Sequence, residues 1–127
     1  MNVLDENITR DQADLLSLWR IRHRSISRDL HAQGISDENI IPLLLRLKKP
    51  TFFTRDFDFF DRSLPHSRYA IVWLEVDRNE TAYFIRRFLR DSRFSQSAQR
   101  LGKVIRVHPH GIDYWFKSTQ LKQVRWL

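Results

Sequence analysis

A chain of 127 residues, 42% hydrophobic with nine Phe and four Trp, can fill one core and is too short for two ordinary domains; residues 1–127 read as a single domain. The 22 Lys and Arg against 15 Asp and Glu leave a formal charge of +7, which favours a polyanionic partner, nucleic acid or an acidic protein. The absence of Cys excludes a disulfide framework and a thiolate metal site, and no apolar run reaches membrane-spanning length.

The N-terminal Met-Asn-Val-Leu-Asp-Glu carries acids within its first six residues, unlike a signal peptide, so the expected setting is the cytoplasm, with no membrane partner. Val3-Leu4 starts a short strand that ends on Asp5-Glu6-Asn7. Thr9, with Gln12 three residues on, predicts a capped helix whose apolar face is Ala13, Leu15, Leu16, Leu18 and Trp19. His23–Ser27 reads as a second strand, and Gly34 as a turn. Ser36 predicts the N-cap of the next helix, with Asp37 and Glu38 in its first turn, where the helix dipole favours negative charge. Pro42 weakens that helix locally, and Lys48-Lys49 stand at its end.

Thr51–Phe60 is the most informative stretch. Thr-Phe-Phe-Thr favours a strand, Pro50 closes the helix before it, and Asp56 and Asp58 follow among Phe57, Phe59 and Phe60. Tyr69–Val76 is a continuous apolar strand, as in a sheet covered on both faces. Asp77 or Asn79 predicts the cap of a helix through Arg90 that turns Phe84, Ile85, Phe88 and Leu89 inward. A short helical piece from about Arg93 to Leu101 ends at Gly102. Lys103–Val107 reads as a fifth strand, and the tail is strand-like at Tyr114–Phe116 and Val124–Leu127. Alternating strands and helices with short connections predict an α/β fold with right-handed crossovers. The sheet is expected to be mostly parallel, of about five strands, with helices on both faces.

In such a sheet the strand carboxyl ends and the following helix N-termini share one edge. Asp5, Asp37 or Glu38, Asp56 and Asp58 can therefore converge. Gathered carboxylates repel one another unless a cation joins them, and an all-oxygen donor set suits Mg²⁺ or Mn²⁺. A basic chain with an acidic metal cleft suits cleavage of nucleic acid. Read singly, Asp37 or Glu38 is also an ordinary cap, and Asp58 an ordinary turn residue.

Leu4-Asp5-Glu6-Asn7, Arg28-Asp29-Leu30, Gly34-Ile35-Ser36-Asp37-Glu38-Asn39-Ile40 and Thr54-Arg55-Asp56-Phe57-Asp58-Phe59 stand in this order over the first half of the chain. They resemble a small stand-alone bacterial branch of the PIN-like ribonuclease superfamily, relatives of VapC-type toxins. The resemblance implies a PIN-like three-layer sandwich and Mg²⁺- or Mn²⁺-dependent RNA hydrolysis. It implies catalytic Asp5, Glu38, Asp56 and Asp58, with Asp37 a further possible ligand. Thr54 and Asn7 would support those ligands from behind. It also implies the toxin of a type II pair, held by a small antitoxin with a DNA-binding domain. Asn39 stands where the family often has a second Glu.

Arg86, Arg90 and Arg93 share one helix face and, with Arg55, are candidate RNA contacts; the same face could serve a dimer or an antitoxin. His108 and His110 have no third ligand nearby. Trp115, Phe116, Trp126 and Leu127 read as core or oligomer interface. There is neither a triad-like arrangement nor a Gly-rich phosphate loop. Two alternatives remain: a PIN-like domain that binds RNA or protein without cutting, and a phospho-acceptor receiver domain, which wants a Lys after its last strand where this chain has Lys103 before its fifth.

Overall fold

The computed structural model describes residues 1–30, 32, 34–117 and 120–127. Among them, seven strands form one sheet: β1 Asn2–Leu4, β2 Arg24–Ser25, β3 Thr51–Thr54, β4 Ala70–Leu74, β5 Lys103–His108, β6 Gly111–Phe116 and β7 Lys122–Arg125. The described helices are α1 Arg10–Leu18, α2 Asp37–Arg46, α3 Thr81–Arg90 and α4 Ser97–Arg100. The strand order is β2-β1-β3-β4-β5-β6-β7. Strands β1 to β5 pair in parallel, whereas β6 and β7 are antiparallel to their neighbours.

Successive strand residues point to opposite faces, and the register stacks them into two rows. Leu4, Phe53, Val72 and Ile105 line up across β1, β3, β4 and β5, and all four belong to one core. Val3, Phe52, Ile71 and Val104 line up one residue earlier and feed a second core. This is why β3 is buried along its whole length and reads as an unbroken apolar run rather than an alternating one. The first core is closed by Ala13 and Leu16 of α1 and by Ala82, Phe84, Ile85 and Phe88 of α3. The second takes Ile40, Leu43 and Leu44 of α2, then Phe59 from a single 3-10 turn and Tyr69 from irregular chain.

The expected PIN-like three-layer sandwich, about five mostly parallel strands with helices on both faces, is corrected here. The sheet is mixed and has seven strands. The helices are few and short, α4 is a single turn, and the second core is covered by one ten-residue helix together with non-helical segments. The tail accounts for the difference. After the two-residue turn Pro109-His110, the chain reverses at the His108–Gly111 pair, and β6 and β7 extend the sheet as a meander. Only Gly fits at Gly111, because an added Cβ would lie 2.2 Å from the Val124 carbonyl oxygen.

Local expectations shift for physical reasons too. The second strand shrinks to Arg24–Ser25. The Thr9/Gln12 capping box does not form. Gln12 is buried instead, and its Oε1 accepts the Ala82 N–H at 2.9 Å, tying α1 to α3. Pro42 sits inside α2 without ending it. The piece expected to start near Arg93 begins only at Ser97.

Candidate metal centre

The second face continues past its core as the row Thr54, Trp73, Arg106, Asp113. At the carboxyl end of that row the chain leaves β1 at Asp5 and β3 at Arg55-Asp56, while α2 opens with Asp37. The parallel register makes this coincidence unavoidable. Asp5 is held in line by its N–H, which donates to the Phe53 carbonyl at 2.9 Å.

Thr54 is fully buried and organises the centre. Its hydroxyl donates to Asp5 Oδ2 at 2.7 Å and accepts from the Asp56 N–H at 3.0 Å. Asn7 closes the ring. Its Nδ2 donates to Asp5 Oδ2 (3.3 Å) and to Thr54 Oγ1 (3.2 Å), and its Oδ1 accepts the Arg55 N–H at 3.0 Å. The other Asp5 oxygen, Oδ1, accepts the Glu6 N–H at 2.7 Å. Glu6 Oε1 in turn accepts the Gly34 N–H at 2.5 Å, fixing the approach to α2 from the segment after β1. Gly34 takes φ +73°, a left-handed conformation that a side chain would strain. Asp56 Oδ1 caps a single 3-10 turn, Phe57–Phe59, by accepting the Asp58 N–H at 2.9 Å.

Carboxylate oxygens of Asp37, Asp56 and Asp58 all lie within 4.8 Å of one another. Asp5 stands behind them on Thr54, half-buried. Burial pushes the Asp5 carboxyl above its ordinary value, and the charges of Glu6 and Asp56 add to this. The Thr54 hydroxyl and the Glu6 N–H pull the other way. Asp37 is also raised, by desolvation first, then by the charge of Asp56 and a carboxyl-to-carboxyl contact with it, then by Asp5 and Asp58. Its side chain is on the surface, so the neighbouring charges are the cause that matters in the site's chemistry.

Among the described residues, none of these four acids is in an ion pair; every pair formed uses Glu75, Asp91 or Asp113. No cation of the described residues pairs with these carboxylates, so their mutual repulsion is eased only by water or by a bound cation. Their all-oxygen character, on a partly open edge, fits Mg²⁺ or Mn²⁺ with several waters retained. Glu38 is exposed and is not in the group. Of the adjacent pair Asp37 and Glu38, Asp37 at the start of α2 is the one whose carboxylate joins the group.

The basic candidates divide. Arg55 follows Thr54 directly and lines a cavity of about 480 Å³ with Trp73, Glu75, Asp77 and Glu80, beside the acids. Arg86, Arg90 and Arg93 lie with α3, which closes the other core. Arg86 is stacked over Trp19 at 3.8 Å, and Arg93 holds Asp91 through two hydrogen bonds of 2.9 and 2.8 Å. The sheet separates them from the acidic cluster. His108 Nε2 sits 3.5 Å from Asp113 Oδ2, in a network where Arg106 bridges Asp113 and Glu75 at 2.7 Å each. Trp115 packs on Phe60, and Trp126 donates to the His108 carbonyl. Lys103 Nζ donates to the Gln99 carbonyl at the start of β5, the edge opposite the acids, where a receiver domain would not use it.

No helix among the described residues is long and apolar enough to cross a membrane. No protein-family model, curated protein or solved structure matches this chain.

Proposed function

We propose that the protein is a metal-dependent endoribonuclease, acting in the cytoplasm as the toxin of a type II toxin–antitoxin pair. The observation that carries the reading is the group of Asp37, Asp56 and Asp58 oxygens within 4.8 Å, unpaired, with Asp5 anchored behind them through Thr54. Asp37, Asp56 and Asp58 would hold the ion, with Asp5 reaching it directly or through a water. Bound Mg²⁺ or Mn²⁺ supplies Lewis acidity toward water and toward the phosphoryl oxygens. The chain's own contribution is placement. Thr54 and Asn7 fix Asp5, and the Asp58 N–H fixes Asp56, so the oxygens that would take the ion are held before it binds. Arg55, beside Asp56 in the chain, would help neutralise the RNA backbone.

The motif resemblance to PIN-like ribonucleases supports the same reaction at the level of motifs, not of layers. A small antitoxin with a DNA-binding domain, and a homodimer, belong to the proposal as partners. The experiment is cleavage of single-stranded RNA by purified protein with Mn²⁺, Mg²⁺ or EDTA. Cleavage that needs the metal and disappears in Asp56→Asn supports the reading. RNA binding with no cleavage under any metal replaces it with the non-catalytic alternative.

A further inference from the structure

Three aromatic residues follow Asp56 within four positions, and the fold treats them differently. Phe59 is buried and meets the Phe52 ring edge-on at 5.3 Å, anchoring the 3-10 turn in the second core. Phe60 packs between Trp73 and Trp115, at 5.4 and 4.5 Å. Phe57 stands out at 63% exposure, between two of the grouped carboxylates. A polar residue could occupy that position, yet the ring is held there. Asp56 caps the turn it begins, and Trp73 meets it at 5.0 Å with the planes at 74°. An edge-to-face contact uses at most one face of the Phe57 ring, so at least one face is open. Trp73 is nearly buried and itself carries the Arg106 guanidinium 5.7 Å from its ring centre. The ring is therefore backed by a fixed support, with Arg55 just past the end of β3 as a nearby cation, while Arg106 on β5 is held by Glu75 and Asp113.

We propose that Phe57 is a base-stacking platform: a nucleobase next to the phosphate at the acidic cluster lies on its open face, which makes the substrate single-stranded RNA. The inference rests on the ribonuclease reading for the position of that phosphate. Stacking on an exposed ring is tolerant of base identity and needs an unpaired base, since a duplex keeps its base faces covered.

The test is fluorescence anisotropy of a labelled single-stranded oligoribonucleotide with Ca²⁺ as the cation, on wild type, Phe57→Ala and Phe57→Tyr. One stacked base lost should weaken binding by Phe57→Ala about tenfold, while Phe57→Tyr stays close to wild type. An RNA duplex of the same sequence should bind both proteins equally. The ring is mostly in water, so the variants should unfold at nearly the wild-type temperature. The proposal is overturned by wild type that binds no RNA, by unchanged single-strand binding of Phe57→Ala, or by an equal loss on the duplex. Mn²⁺-dependent cleavage by wild type is run alongside. Cleavage without Phe57 dependence removes only the platform; Phe57-dependent binding without cleavage removes only the nuclease.

Discussion

The acidic edge and the arginine groove of α3 are both strongly charged, and they differ in whether the charge is settled. The groove is a cavity of about 480 Å³ lined by Tyr83, Arg86, Arg87, Arg90, Trp126 and their neighbours. Two of its three arginines have resting partners, Arg86 on Trp19 and Arg87 on Trp126 at 4.5 Å, and Asp91 in its lining is held by Arg93. The Asp91 carboxyl is lowered accordingly, by its hydrogen bond with Arg93 before any other cause. At the other edge the carboxyls of Asp5 and Asp37 are raised, and no cation of the described chain pairs with them. A lowered carboxyl beside its own arginine is a stabilising contact. A raised one among other acids costs folding energy, and such costs concentrate where a ligand repays them.

The sharpest way to break this contrast is to remove one charge from each region. Asp56→Asn should reduce Mn²⁺-dependent RNA cleavage about a thousandfold, as expected when several kcal/mol of charge stabilisation are lost. Arg90→Glu should leave cleavage of a short oligonucleotide within about threefold, because exposed charges across the sheet are screened. Equal losses would join the two regions into one RNA path. Within the acidic edge, Asp37→Asn should cost about a hundredfold and Glu38→Gln less than about threefold, in the same assay. A reversal of that order would restore Glu38 as the ligand and displace the geometry described above. Thr54→Val should lower cleavage about tenfold, the usual effect of losing a group that orients a ligand. It should also lower the unfolding temperature, because Asp5, Asp56 and Asn7 lose a buried hydrogen-bond partner together.

The acidic edge is largely legible in the sequence. A Thr-Phe-Phe-Thr strand with acids at its end, an acid directly after β1, and acids opening α2 place charge on one edge of any parallel sheet, whatever the layers around it. What the sequence does not carry is rotation and register. Asp37 and Glu38 are adjacent, so their side chains leave the helix about 100° apart, and only the packing of Ile40, Leu43 and Leu44 decides which faces β3. Phe57 was equally illegible: in a run of three Phe within four residues, composition says core, and the 3-10 turn alone turns one ring outward. The tail is hard to read because its strands are short and half-polar. Lys122–Arg125 is basic and mostly exposed, so it carries none of the apolar signal of a covered strand and joins the sheet through backbone pairing with β6.

The smallest effect is the one that reads the electrostatic cost directly. Asp5 and Asp37 have folded values above those of the unfolded chain, so the folded state holds their protons longer as pH rises. Their favourable contribution is complete below the unfolded carboxylate value and is lost as pH rises through the raised folded values. Asp11, Asp61 and Asp91 are lowered, so their stability is lost only as pH falls below the unfolded value, and the two windows do not overlap. In EDTA, the unfolding temperature of wild type relative to Asp37→Asn should therefore decline as pH rises above the ordinary carboxylate value. Mn²⁺ should reverse the sign, since metal binding displaces the same protons and strengthens as they leave. The Mn²⁺-induced rise should then grow with pH in wild type and be nearly flat in Asp37→Asn. A wild-type rise that is independent of pH, or one that Asp37→Asn retains in full, would place the ion away from these carboxylates.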